Sequence, residues 1–194
     1  MTDRGYRADV AIAHWPYYVD GIMLVSGMWS QNAWKYQTYN GSSWSAEGNF
    51  GIKMPSNYGQ AFSLVAQNSQ VHFACIPTNE GDSIEYYYFT TSWSSAVTVE
   101  GSTSRFPTFS AHQTKLLLLY IRGGVIYYRT MNYTTHNWDT NASTFAVDEG
   151  VPAQLTSEKY PIKKRLGILW MAGTSNPYEL RFFSLSMSEA EVRT

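Results

Sequence analysis

At 194 residues, 44% apolar and 16% aromatic, the chain is long enough for one buried core and too aromatic to stay disordered. Charged residues make up only 15% and the net charge is −1. The densest basic cluster, Lys163-Lys164-Arg165, reads as a solvated turn, so no nucleic-acid partner held through its phosphates is expected.

Other classes are set aside on equally simple grounds. The single cysteine, Cys75, lies in the apolar run Val71-His72-Phe73-Ala74-Cys75-Ile76 and reads as a small buried residue. The start, Met1-Thr2-Asp3-Arg4-Gly5, has no apolar signal region, and no stretch approaches the length of a membrane span. The expectation is a cytoplasmic protein, or one exported without a signal peptide. Asn40, Asn132 and Asn141 head glycosylation-type triplets that read here as turns.

The first unit, 6–51, opens with a polar strand at 8–14 and continues into the apolar run Ile22-Met23-Leu24-Val25-Ser26-Gly27. A half-polar strand at 34–39 follows, then a short turn to Trp44 and a weaker strand at 47–51. The second unit, 52–101, repeats this with 60–66, the run at 71–76, 84–89, Trp93 and 96–100. The third, 102–150, has 106–111, Leu116-Leu117-Leu118-Leu119-Tyr120-Ile121, 125–130, Trp138 and 143–147. The fourth, 151–194, has 153–156, Leu166-Gly167-Ile168-Leu169-Trp170-Met171 and 179–185, but no following tryptophan. Its last segment, 189–194, is a weaker strand like the fourth segment of the other units, and 186–192 also fits a short helix capped by Ser188.

The tryptophans stand 49 and 45 residues apart, and Val25, Ala74, Leu119 and Leu169 fall in one column spaced 49, 45 and 50. A period of that size, with a short apolar run in each unit, predicts an all-β fold: a β-propeller of four blades, each of four antiparallel strands, in one domain. The apolar runs are middle strands buried on both faces. A two-sheet sandwich is the structural rival, and it would not produce a four-fold apolar column. Closure within one chain and completion of a larger ring by a second copy, as a homodimer, both fit four units; so does a fragment of a longer chain.

Trp44, Trp93 and Trp138 recur at one turn, which is what packing between blades requires; the other reading is a stacking platform for a sugar ring. Aromatics at strand ends and loops, beside arginine and amides, suit neutral glycans. On that basis the candidate carbohydrate-binding residues are Trp29, Trp34, Tyr87, Arg122 and Tyr128. No pair of carboxylates stands out as catalytic: Asp82 with Glu85, and Asp148 with Glu149, read as turn residues. His14, His72, His112 and His136 lack metal-ligand spacing, so no metal and no cofactor are expected.

The third unit, Ser104-Arg105-Phe106-Pro107-Thr108-Phe109 through Ile126-Tyr127-Tyr128-Arg129-Thr130 to Trp138, resembles a sialidase-type propeller repeat. The first, with Tyr39-Asn40-Gly41-Ser42-Ser43-Trp44-Ser45, resembles the repeats of fungal fucose-binding lectins and related bacterial propeller lectins. The resemblance implies a propeller and glycan binding. It also shows departures. Sialidase-like enzymes use six blades, three clustered arginines and a Tyr–Glu nucleophile pair; Thr135-His136-Asn137-Trp138 lacks their Ser-x-Asp-x-Gly lead-in. The fucose lectins pair an arginine with a glutamate. Glu85 would be such a glutamate, but the second strand of its unit carries no arginine. The leading expectation is a multivalent, non-catalytic, lectin-like propeller with glycans as partners. A protein-interaction or structural propeller comes second, and a sialidase-like glycan hydrolase third.

Overall fold

The computed structural model describes residues 10–15, 21–28, 33–53, 62–67, 70–77, 83–101, 103–112, 114–144, 152–160, 165–173 and 177–186. They form four antiparallel sheets, each a simple meander. The first holds β1 (Val10–Trp15), β2 (Gly21–Met28), β3 (Ala33–Tyr39) and β4 (Gly48–Lys53). The second holds β5 (Phe62–Gln67), β6 (Gln70–Cys75), β7 (Ile84–Phe89) and β8 (Val97–Glu100). The third holds β9 (Ser104–Ala111), β10 (Lys115–Arg122), β11 (Val125–Asn132) and the two-residue β12 (Ser143–Thr144). The fourth has three strands among the described residues, β13 (Pro152–Ser157), β14 (Arg165–Ala172) and β15 (Glu179–Ser186). The segment 187–194, with its expected strand or helix, lies outside the described residues.

The sheets are the blades of a propeller. Inner strands meet in sequence, β1 with β5, β5 with β9, and β9 with β13. No comparable packing joins the first blade to the fourth among the described residues. One apolar cluster runs through blades one to three and a second joins blades three and four. The apolar runs behave as middle strands: β6 is buried from Val71 through Cys75 and β10 from Leu116 through Ile121. The fourth blade departs from the expectation. Leu166, Ile168, Trp170 and Ala172 are buried against Leu117, Leu119 and Ile121, while Gly167, Leu169 and Met171 are only half-buried. That alternation is what a sheet covered on one face produces.

The repeated tryptophan is held by one device. Trp44, Trp93 and Trp138 each make an isolated β-bridge, to Tyr39, Phe89 and Met131. The next residue returns to the third strand: Ser45 N donates to Thr38 O (2.7 Å), Ser94 N to Tyr88 O (2.9 Å) and Asp139 N to Thr130 O (2.9 Å). Asparagine shapes two of these turns, Asn40 Oδ1 accepting from Ser43 N at 2.9 Å and Asn132 Oδ1 from Thr134 N at 2.8 Å. Held this way, the indoles of the second and third blades reach the blade before them. Trp93 packs edge-on against Tyr36 (ring centroids 5.7 Å) and Trp138 against Tyr86 (5.1 Å). Packing between blades is therefore the role of Trp93 and Trp138. Gly48 is part of the first seam, since a Cβ there would lie 2.3 Å from Tyr36 Cζ.

Near the inner strands a polar strap joins three blades. Lys159, just beyond β13, donates to Ser63 Oγ of β5 at 2.5 Å and to Thr108 Oγ1 of β9 at 3.3 Å. Burial lowers the Lys159 pKa to about 8. Tyr160 adds a bond to Ala66 O at 2.8 Å.

Two predictions follow from this packing. Trp34 is fully buried, edge-on to Phe62 (4.5 Å) and Phe73 (5.8 Å). Trp34→Ala should cost about 3–5 kcal/mol in urea unfolding; a loss within experimental error would mean the first seam is not packed as described. His72, fully buried in the second seam, accepts or donates at Tyr86 Oη (2.7 Å), and burial lowers its pKa from 6.5 to about 3. Between those values the unfolded chain takes up a proton that the folded chain refuses, so stability falls as pH drops from 6.5 toward about 3. His72→Phe should flatten that part of the stability–pH curve, whatever it does to stability at neutral pH.

Candidate functional site

The hairpin β10–β11 turns through Gly123 and Gly124, both at positive φ (55° and 77°), as a two-residue reversal requires. Its register pairs Arg122 with Val125 and Tyr120 with Tyr127. Alternation then places Tyr120, Arg122, Tyr127 and Arg129 on the face toward the second blade. Tyr120 and Tyr127 lie side by side, nearly parallel at 5.9 Å, and the Arg122 guanidinium sits 4.1 Å above the Tyr127 ring.

Across the seam, β8 ends on Glu100. Its Oε2 accepts from Tyr120 Oη at 2.8 Å, Arg122 Nη1 at 2.9 Å and Arg129 Nη2 at 3.5 Å. Its Oε1 accepts from Gly101 N at 3.0 Å. Arg129 Nη1 also donates to Asp139 O at 3.2 Å. Burial alone would raise the Glu100 pKa, but Tyr120, the two guanidiniums and the Gly101 amide outweigh it and hold the carboxyl below its usual 4.5. Burial, with the Glu100 bond, raises Tyr120 to about 12. The cluster thus presents a fixed anion, two guanidiniums and a tyrosine pair at one seam. Arg122 is its most exposed charged member, with 31% of its side-chain surface open against 18% for Arg129 and 6% for Glu100.

The five residues expected from the sequence lie apart. Trp29 falls outside the described residues. Trp34 is a core residue with no open face. Tyr87 is buried in the seam between the first two blades, its hydroxyl donating to Glu85, and burial raises its pKa above 10. Trp34 and Tyr87 both border Phe73. Tyr128 lies on the opposite face of β11 from Arg122, half-buried beside the cluster joining blades three and four. Arg122 alone falls in the Glu100 cluster. Glu100, Tyr120, Tyr127 and Arg129 are not among the five. The glycine pair signalled the hairpin that aligns the two tyrosines, but nothing local signalled that Glu100 of another blade would meet them.

Among the described residues, no group of three histidine, cysteine, aspartate or glutamate side chains could hold a metal ion. No helix among them is long and apolar enough to cross a membrane. Asp82, Asp148 and Glu149 lie outside the described residues.

No protein-family model matches the chain, and no curated protein matches it by sequence. Solved structures do. The Aleuria aurantia lectin in complex with alpha-methyl-L-fucoside superposes with a TM-score of 0.62 at 14% identity, over 92% of this chain and 57% of the lectin. A xylan beta-1,4-xylosidase from Bacillus halodurans gives 0.57 at 10% identity, over 96% and 41%. A chain of the Drosophila Plexin A–Semaphorin 1b complex gives 0.60 at 7% identity, over 92% and 40%. The chain spans little more than half the length of the lectin it matches. These likenesses establish a β-propeller, the class expected from the repeat, and that class houses a sugar binder, a sugar-cleaving enzyme and a protein-binding module.

Glu100→Gln should destabilise the fold by about 2–3 kcal/mol at neutral pH, since two guanidiniums lose the anion they share. With its folded pKa below 4.5, Glu100 contributes stability above that value and loses it as the pH falls further. The variant should lack this acid-limb loss in urea titrations; an unchanged acid limb would show the Glu100 cluster to be energetically idle.

Proposed function

We propose that the chain is a carbohydrate-binding propeller, lectin-like and non-catalytic, with a site at the seam between the second and third blades. The observation that carries this is the Glu100–Arg122 pair, 2.9 Å apart, with the Arg122 guanidinium stacked on Tyr127. The Glu100 carboxylate is committed to its four donors and fixes Arg122, whose partly open guanidinium keeps donors to offer to neighbouring sugar hydroxyls, beside the half-buried Tyr127 ring. The likeness to a fucoside-bound lectin supports the same reading. Two guanidiniums against one carboxylate leave a net positive charge, so acidic sugars belong beside neutral ones in any screen.

Three observations favour binding over turnover. The cluster brings together one carboxylate, whereas a glycosidase needs two. Tyr87 and Glu85 are hydrogen-bonded, but the phenol is buried and held protonated, a poor nucleophile. The tyrosine in the cluster, Tyr120, is likewise held protonated to about 12. A protein-binding propeller is the second reading, and the exposed Leu180 and Phe182 of the fourth blade favour it.

A labelled sample of the chain on a glycan array should bind a defined set of sugars. Arg122→Ala should weaken that binding by about tenfold or more, worth about 1.4 kcal/mol, with an unchanged circular dichroism spectrum. A blank array at high protein concentration would sink the lectin reading and favour the protein-binding one. Hydrolysis of an aryl glycoside, lost on changing one carboxylate, would sink the non-catalytic reading.

A further inference from the structure

Two seams share a construction that the ends of the chain carry in halves. Register places Tyr36, Tyr86, Tyr128 and Phe182 at one position, opposite Val25, Ala74, Leu119 and Leu169. Tyr36 receives Trp93 and Tyr86 receives Trp138, in each case from the turn of the following blade. The fourth blade presents Phe182 at this position, 68% exposed, with Leu180 beside it at 70%. Both lie on the face of β14 and β15 turned away from the third blade, where Leu180 lines a shallow apolar pocket with Leu169 and Met171. The first blade presents the other half. Trp44 sits in the same bridge and the same serine clamp as Trp93, yet it is 48% exposed and, among the described residues, its ring meets only that of Tyr39 in its own blade.

We propose that a second copy of this chain docks head to tail, Trp44 of one copy seating on Phe182 and Leu180 of the other as Trp93 seats on Tyr36. The contact continues an interface already built twice within the chain, and it covers apolar surface that the first and fourth blades leave exposed among the described residues. It pairs unlike faces, so it is heterologous: copies assemble into a ring if the step angle closes and into a filament if it does not. The interface lies at the ends of the blade series, away from Arg122 and Glu100, so it stands or falls independently of sugar binding.

Light scattering on the full chain across the micromolar range tests this. The expected result is concentration-dependent species heavier than 22.0 kDa. Phe182→Ser and Trp44→Ser should each weaken association about tenfold or more, as truncation of a buried interface aromatic does. Both residues are exposed in the single chain, so circular dichroism should confirm that the variants still fold. Crosslinking decides the polarity. Trp44→Cys mixed with Phe182→Cys should give a covalent dimer with a short bismaleimide, and neither variant should do so alone. A monomer at every concentration would overturn the proposal. So would a multimer indifferent to both serine variants, or a crosslink formed by one cysteine variant with itself, which would mean that like faces meet.

Discussion

Seating the tryptophan of one blade on the tyrosine of the blade before it couples a local turn to a long-range contact. The turn is fixed by neighbours in sequence: a β-bridge and a returning serine or aspartate, with an asparagine carbonyl added before Trp138. The indole it holds then reaches a different sheet. A lone four-stranded sheet cannot cover both of its faces. Stacking supplies the missing cover, as in repeat architectures whose units are stable only beside their neighbours. Burial in β6 and β10 follows from this, and so does the half-buried pattern of β14, which among the described residues has a neighbour on one side only.

The same stacking creates the polar site. Glu100 closes the second blade and would face water in a single sheet. The third blade brings Tyr120, Arg122 and Arg129 against it, and the carboxylate becomes a buried acceptor with four donors. Such a cluster is costly to dehydrate and therefore tied to correct packing of the seam. Arg122 spans the two roles, bound to Glu100 on one side and partly open to solvent on the other.

Sequence periodicity was enough to read the blades, because each has the same sequence of polar, apolar and half-polar strands within a few dozen residues. Val25, Ala74, Leu119 and Leu169 do occupy equivalent places, each opposite the aromatic of its third strand. The site was less legible. Trp34 looked like a strand-end aromatic available to a ligand, but a neighbouring sheet covers it, and coverage by a neighbour leaves no mark on the covered segment. Tyr127 and Tyr128 were indistinguishable as adjacent residues; only the register fixed by Gly123 and Gly124 decides which one meets Arg122. Glu100 lies 22 residues from Arg122 and in another blade, beyond the reach of any motif.

The strap made by Lys159 makes the last blade depend on two earlier ones. Its ammonium is bonded to side chains 96 and 51 residues earlier in the chain, in two different blades. A lysine gives up its water only where partners are already waiting, since dehydrating it alone is unfavourable. The Lys159 ammonium is therefore satisfied only where the second and third blades both stand in place. Loosening either of those blades withdraws a partner from the buried ammonium, so damage to the second or third blade is felt in the fourth.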